Sequence, residues 1–84
     1  MNKEDIFALI AQNAREIMPQ LESHEFQWTD SLRALGANSI DRSEIVMMTL
    51  EAMTLDIPLA ETIHAENIGA LATLLYEKES SRQL

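Results

Sequence analysis

The residue of this chain with the clearest chemical potential is a serine at a predicted helix start. Ser39 follows Asn38, and Asn38 with Asp41 three residues later forms the pattern of a helix N-cap. Unpaired N–H groups at such a terminus carry partial positive charge, so they favour an anion nearby. A phosphate ester on Ser39 would therefore be well placed. The alternative from the local pattern alone is that Ser39 is a plain capping residue.

Little else in the chain predicts chemistry by its own side chains. The only histidines, His24 and His64, are expected to be surface residues, and no metal-ligand spacing exists, so no metal is expected. There is no cysteine and no glycine-rich phosphate loop. Ser39 has no recognisable base partner. We therefore expect a non-catalytic protein, with a small serine hydrolase as a disfavoured alternative.

The charge balance restricts the partners of the protein. Fourteen acidic and six basic residues give a net charge of −8, which disfavours nucleic acids and anionic membrane surfaces. The negative electrostatic field of such a surface attracts partners with basic patches. The alternative is that the acidic residues only keep the protein soluble. Neither a signal peptide nor a run of ~18 apolar residues is evident. We expect a cytoplasmic monomer.

The elements that must position Ser39 are predicted to be helices. Two glycines and two prolines, with little strand patterning, indicate a single all-α domain over residues 1–84. We expect a long connection over residues 20–37, in which Trp28 is a packing anchor, and a frayed tail over residues 78–84. The predicted helices run approximately over Lys3–Met18, Ser39–Leu55, Leu59–His64 and Ile68–Glu77.

The second predicted helix has two different faces. At 100° per residue, the face expected to point to the core consists of Ile45, Val46, Thr49, Leu50, Ala52 and Met53. The other face mixes acids with apolar side chains, namely Ile40, Asp41, Glu44, Met47, Met48 and Glu51. This second face is either an ordinary solvated surface or a docking face, where methionines give adaptable contact area and carboxylates select basic partners.

The sequence around the serine resembles a known signature. The segment Leu35-Gly-Ala-Asn-Ser-Ile-Asp41 resembles the motif Leu-Gly-Ala/Gly-Asp-Ser-Leu-Asp of acyl carrier proteins. The likeness continues through Glu44–Met47, Ile57-Pro58 and Asn67-Ile68, and covers about residues 32–76. One departure is Asn38, which replaces the usual aspartate before the serine. The resemblance implies a four-helix bundle with a long first loop and a short third helix.

The same resemblance implies a covalent cofactor and a docking surface. Ser39 would receive 4′-phosphopantetheine from coenzyme A through a phosphopantetheinyl transferase, and the thiol of this arm would hold an acyl group as a thioester. The residues then expected to contact partners are Asn38, Ile40, Asp41, Arg42, Glu44, Met47, Met48, Glu51 and Ile57.

Residues 36–51 most resemble free-standing donor carriers of polyketide β-branching cassettes. Such carriers work with a 3-hydroxy-3-methylglutaryl (HMG)-synthase-like enzyme in polyketide antibiotic biosynthesis. The resemblance implies a malonyl group that a decarboxylase converts to acetyl, with an acyltransferase, the decarboxylase and the HMG-synthase-like enzyme as partners. The alternatives are a carrier of another fatty-acid, polyketide or aminoacyl pathway, or a helical interaction domain that carries nothing.

Overall fold

The computed structural model describes residues 1–82 and contains three α-helices. These are α1 (Lys3–Ile17), α2 (Ser39–Met53) and α3 (Ile68–Arg82), with 3₁₀ helices at Pro19–Leu21 and Leu59–Thr62. The described residues include no strand, so the all-α class is confirmed. The count of four helices is not, because the expected short third helix is a four-residue 3₁₀ helix.

Asparagine side chains begin all three helices. Asn2 Oδ1 accepts the N–H of Asp5 at 2.7 Å, and Asn67 Oδ1 accepts the N–H of Ala70 at 2.7 Å. Asn38 forms the corresponding cap of α2. These contacts satisfy N–H groups that have no partner inside the helix. The cap predicted at Asn38 is confirmed, and Asn2 and Asn67 form equivalent caps on the other two helices.

The end of α2 differs from the prediction, since the helix ends at Met53 instead of Leu55. Thr54 adopts a left-handed conformation with φ of 52°. The N–H of Leu55 then bonds to the carbonyl of Leu50 at 2.9 Å, and the Leu55 side chain enters the core. A left-handed residue stops a helix because it turns the following backbone away from the helix axis.

The last helix extends past its predicted end at Glu77. Lys78 Nζ lies 2.6 Å from Glu61 Oε1, and the amino terminus lies 2.8 Å from Glu79 Oε1. These contacts tie the added turn to other parts of the chain, and the helix continues to Arg82. Residues 83–84 lie outside the described residues, and fraying of the tail over residues 78–84 stays a prediction.

The core lies where α1 packs against both α2 and α3. Its buried apolar side chains come from the three helices and from the connections between them: Ile6, Ile10, Ala14, Met18, Leu21, Leu32, Ala37, Ile45, Val46, Leu50, Met53, Leu55, Ile68, Leu71, Ala72 and Leu75. Ala52, expected on the core face of α2, is exposed. The large side chains of Leu50 and Met53 determine how α2 is rotated toward the core. The single methyl group of Ala52, at the edge of the predicted core face, is too small to affect this rotation.

The loop over residues 22–38 is fixed against α1 and α3. The Trp28 ring stacks on Phe7 with ring centroids 4.5 Å apart, which confirms Trp28 as a packing anchor although it is 41% exposed. The Trp28 carbonyl accepts the N–H of Gly69, and the Asp30 carbonyl accepts the N–H of Ile68, both at 2.8 Å. The loop thus supplies backbone acceptors to the first turn of α3.

A polar cluster stabilises the middle of this loop. His24 Nε2 lies 2.8 Å from Asp30 Oδ2, which also accepts the N–H of Gln27 at 2.8 Å. Arg15 donates to the His24 carbonyl at 2.9 Å and lies over the Phe26 ring. His24 is therefore half-buried and paired with Asp30, whereas His64 is exposed. No helix among the described residues is long and apolar enough to cross a membrane.

Candidate functional site

Ser39 is the first residue of α2, and its side chain is exposed. The cap is provided by Asn38, whose Oδ1 accepts the N–H of Asp41 at 2.8 Å, while Asp41 Oδ2 accepts the N–H of Asn38 at 3.3 Å. The Ser39 hydroxyl has no hydrogen bond to any described residue. Ser39 is therefore not the capping residue, and its hydroxyl is available for chemistry.

A tight turn leads the chain into α2. Gly36 has φ of 106°, a conformation that glycine adopts without steric cost. The N–H of Ala37 bonds to the Leu32 carbonyl at 3.0 Å. From one turn inside α2, Arg42 Nη1 donates to the Ala37 carbonyl at 2.8 Å. The backbone just before Ser39 is thus held from both sides.

A cavity of about 410 Å³ adjoins Ser39. It lies between α2, the end of the long loop, the second 3₁₀ helix and the start of α3. Its apolar lining comes from Leu32, Val46, Leu59, Ile63, Ala65, Ile68 and Leu71, and its polar lining from Ser31, Arg33, Ser39, Arg42, Ser43, Thr62, Glu66 and Asn67. A lining with both apolar and polar side chains suits a flexible chain that contains both methylene and amide groups.

A second concavity, here called the acidic groove, lies at the other end of α2. Its volume is about 720 Å³. It is lined by Glu44, Met47, Met48, Leu50, Glu51, Thr54, Leu55, Asp56 and Ile57. This lining contains three carboxylates and no basic side chain. The side chain of Met47 is 54% exposed, so the groove offers adaptable apolar contact beside negative charge.

The structure divides the predicted partner-binding residues into two sets. The acidic groove unites Glu44, Met47, Met48, Glu51 and Ile57. The remaining predicted residues lie around the first turn of α2: Asn38, Ile40, Asp41 and Arg42. Of these four, Ile40 is 68% exposed, and the other three make the cap and turn contacts described above.

Sequence reasoning missed two groups of lining residues. Leu55 and Asp56 line the acidic groove, and the early end of α2 places them there. Arg33 and Ser43 line the cavity beside Ser39. Ser43 lies one helical turn after Ser39, so its position could have been read from the helix period. No local pattern indicates Arg33, because it reaches the cavity from a loop.

The fold and the site define a carrier domain: a helical bundle that presents an unpaired serine at a helix start, between a cavity and an acidic groove. Comparison with known proteins agrees, since the family of the phosphopantetheine attachment site matches residues 8–75. The chain belongs to this family, whose members are non-catalytic acyl carriers.

Two individual relatives narrow the comparison. The chain is 44% identical over 81 residues to the polyketide biosynthesis acyl-carrier-protein AcpK of Bacillus subtilis (strain 168), covering 96% of this chain and 99% of that protein. It is also 44% identical to a chain from the crystal structure of the curacin biosynthetic pathway HMG synthase in complex with acetyl donor-ACP. That match covers 92% of this chain and 99% of the other, with a TM-score of 0.89.

The prosthetic group of this family is 4′-phosphopantetheine, and the residues present fit it. An exposed hydroxyl without a hydrogen-bond partner is the type of group that such an attachment requires, and Ser39 supplies one. The lining of the adjoining cavity offers hydroxyl, amide and apolar side chains. A pantetheine arm has matching amide, hydroxyl and methyl groups.

Proposed function

We propose that the arm of this acyl carrier protein is attached at Ser39. The main support for the proposal is that Asn38, and not Ser39, caps α2. The exposed Ser39 hydroxyl therefore remains unpaired. A phosphopantetheinyl transferase with coenzyme A is the expected source of the arm. When bound, 4′-phosphopantetheine supplies the thiol that holds an acyl group as a thioester. The protein's own residues present the arm and select partners.

The proposed pathway role is acetyl donation in polyketide β-branching. Its support is the relationship to a polyketide carrier and to a chain solved in a complex of HMG synthase with an acetyl donor carrier. In this role an acyltransferase loads a malonyl group onto the arm, and a decarboxylase removes CO₂ from it to give an acetyl group. An HMG-synthase-like enzyme then takes the acetyl group. The 3₁₀ helix Leu59–Thr62 takes the place of the short third helix of the carrier fold.

The acidic groove is the proposed contact with these enzymes. Carboxylates at Glu44 and Glu51 select a basic partner surface, and Met47 with Ile57 provides apolar area that the partner must match in shape. The exposed side chain of Ile40 extends this surface toward Ser39. Docking here would hold the partner enzyme on the same helix that carries the arm.

Attachment at Ser39 is tested by intact-protein mass spectrometry after treatment with coenzyme A and a transferase. The wild type should gain one phosphopantetheine, and Ser39→Ala should gain none. Ser43→Ala is the matched control, because Ser43 lines the same cavity one turn away, and it should still gain one. Modification that persists in Ser39→Ala, or that disappears in Ser43→Ala with the fold intact, would assign the attachment to another residue.

The donor role is tested by transfer of acetyl from the loaded protein. The assay combines the acetyl-loaded protein, an HMG-synthase-like enzyme and an acetoacetyl-loaded acceptor carrier. We expect transfer faster by on the order of tenfold than from an ordinary fatty-acid carrier, which corresponds to about 1.4 kcal/mol of discrimination. Equal rates from both carriers would show that this protein is not a specialised donor.

A further inference from the structure

Charge is distributed unevenly around α2. The chain has 14 acidic and only six basic residues, and the acidic groove follows this balance with Glu44, Glu51 and Asp56. The cavity beside Ser39 reverses it, since its lining contains Arg33 and Arg42 but only one acid, Glu66. A local excess of cations in a strongly acidic protein indicates that this cavity accommodates an anion.

Arg33 differs from the other described basic side chains because it is unengaged. Its guanidinium makes no hydrogen bond, ion pair or ring contact with a described residue, and it is exposed. Arg15 bonds to the His24 carbonyl and Lys78 pairs with Glu61. Lys3 lies over an aromatic ring, 5.6 Å from its centroid. Arg33 is thus the described cation that remains free to bind a ligand.

Arg42 provides the fixed side of the same cavity. One guanidinium nitrogen donates to the Ala37 carbonyl at 2.8 Å, which holds this half-buried side chain in place. A guanidinium has five N–H donors, so this single bond leaves most of them for another acceptor. Arg42 therefore adds a positive charge that is held in place, while Arg33 adds one that has no partner among the described residues.

We propose that Arg33, supported by Arg42, binds the phosphodiester through which the arm is joined to Ser39. The inference rests on the proposed attachment of the arm to Ser39. The phosphodiester is the anionic group nearest to the serine, and the fork of a guanidinium matches two phosphate oxygens better than an ammonium does. The contact would offset the charge that the arm adds to an acidic protein. It would also direct the first part of the arm along the cavity.

The test compares the apo and holo forms of the wild type, Arg33→Ala and Lys3→Ala. Lys3→Ala is the matched control, since it removes one exposed positive charge outside the cavity. The first measurement is the difference in Tm between holo and apo protein at low salt and at about 1 M NaCl, where the Debye length is ~3 Å. The second measurement is the ³¹P resonance of the phosphodiester.

At low salt, the difference in Tm, holo minus apo, should be lower in Arg33→Ala than in the other two proteins by about 1–5 °C. High salt should remove this gap. The ³¹P resonance should shift in Arg33→Ala but not in Lys3→Ala, and Arg33→Lys should recover part of the Tm difference through its charge. A purely structural role of Arg33 would change the Tm of both forms equally and leave the ³¹P resonance unchanged.

Failure of the inference and failure of the proposed function give different results. If mass spectrometry finds no arm on Ser39 of the wild type, the attachment itself is wrong. If the arm is present and all three proteins have the same ³¹P resonance and the same Tm difference, the role of Arg33 alone is overturned. An Arg33→Ala variant that binds a partner more weakly in apo and holo forms alike, with an unchanged ³¹P resonance, assigns Arg33 to a protein contact and also overturns it.

Discussion

At the scale of single residues, the site depends on different residues forming the helix cap and supplying the free hydroxyl. Asn38 and Asp41 cap α2 through reciprocal hydrogen bonds, so Ser39 keeps its hydroxyl free. The sequence alone identified the cap, because capping patterns are local. It could not identify Gly69, whose role arises from contact with Trp28 in a distant loop. A lone glycine within a predicted helix was the available signal.

Replacement of Gly69 by alanine tests this contact. A Cβ atom there would lie 2.7 Å from the Trp28 carbonyl oxygen, which accepts the Gly69 N–H. Helix propensity alone favours alanine by about 1 kcal/mol. Because the obstacle is backbone, we expect Gly69→Ala instead to lower the free energy of unfolding by about 1–3 kcal/mol, measured by urea denaturation. The exposed neighbour Ala70 gives the control, since Ala70→Gly should lose only the propensity term. A more stable Gly69→Ala variant would show that the loop yields to the added methyl group.

At the scale of elements, helix starts were predictable and helix ends were not. Each start is set by an asparagine and the N–H groups that follow it within one turn. At the end of α2, Leu55 enters the core after Thr54, and the additional turn of α3 contains Lys78, which pairs with Glu61. The core around Leu55 and the partner of Lys78 are supplied by other elements, so the pattern within a single helix does not contain these contacts.

The polar cluster of His24, Gln27 and Asp30 predicts that the stability of the protein falls at acid pH. The backbone N–H of Gln27 and the His24 ring hold the pKa of Asp30 below its usual value of 3.8, chiefly through the hydrogen bond from Gln27. Since the folded pKa is lowered, the contribution of Asp30 to stability is fully present above pH 3.8 and is lost as the pH falls through the lowered value. We expect Asp30→Asn to lower the Tm at neutral pH.

The difference in Tm between the wild type and Asp30→Asn should shrink as the pH falls, because protonation removes the charge that the variant lacks. Thermal unfolding followed by circular dichroism from about pH 7 to about pH 2 measures it. Asp56→Asn is the control, since it removes an exposed carboxylate outside the loop. A gap between wild type and Asp30→Asn that is independent of pH would mean that the negative charge of Asp30 does not account for its contribution to stability.

At the scale of the whole molecule, acidic and basic side chains lie at different sites. The net charge of −8 predicted basic partners from composition alone. Composition could not show that three acidic residues line the groove while Arg33 and Arg42 line the cavity beside Ser39. That arrangement depends on the rotation of α2 and on the course of the loop. Arg42, predicted as part of the docking face, bonds to the Ala37 carbonyl for this reason.

Docking at the acidic groove can be distinguished from general attraction by the net negative charge of the protein. Glu44→Lys with Glu51→Lys changes two groove carboxylates, and Glu16→Lys with Glu77→Lys changes two exposed carboxylates elsewhere, so both double variants have the same net charge. If the groove is the docking site, the first variant should bind an HMG-synthase-like partner about tenfold or more weakly than the second in isothermal titration calorimetry, because close charge pairs count for more than distant ones. The gap should narrow at about 1 M NaCl, where exposed charges are screened. Both variants should unfold within about 0.5 kcal/mol of the wild type, as surface substitutions usually do. Equal weakening of both would mean that the partner responds to net charge, and docking would then have to be sought on another surface.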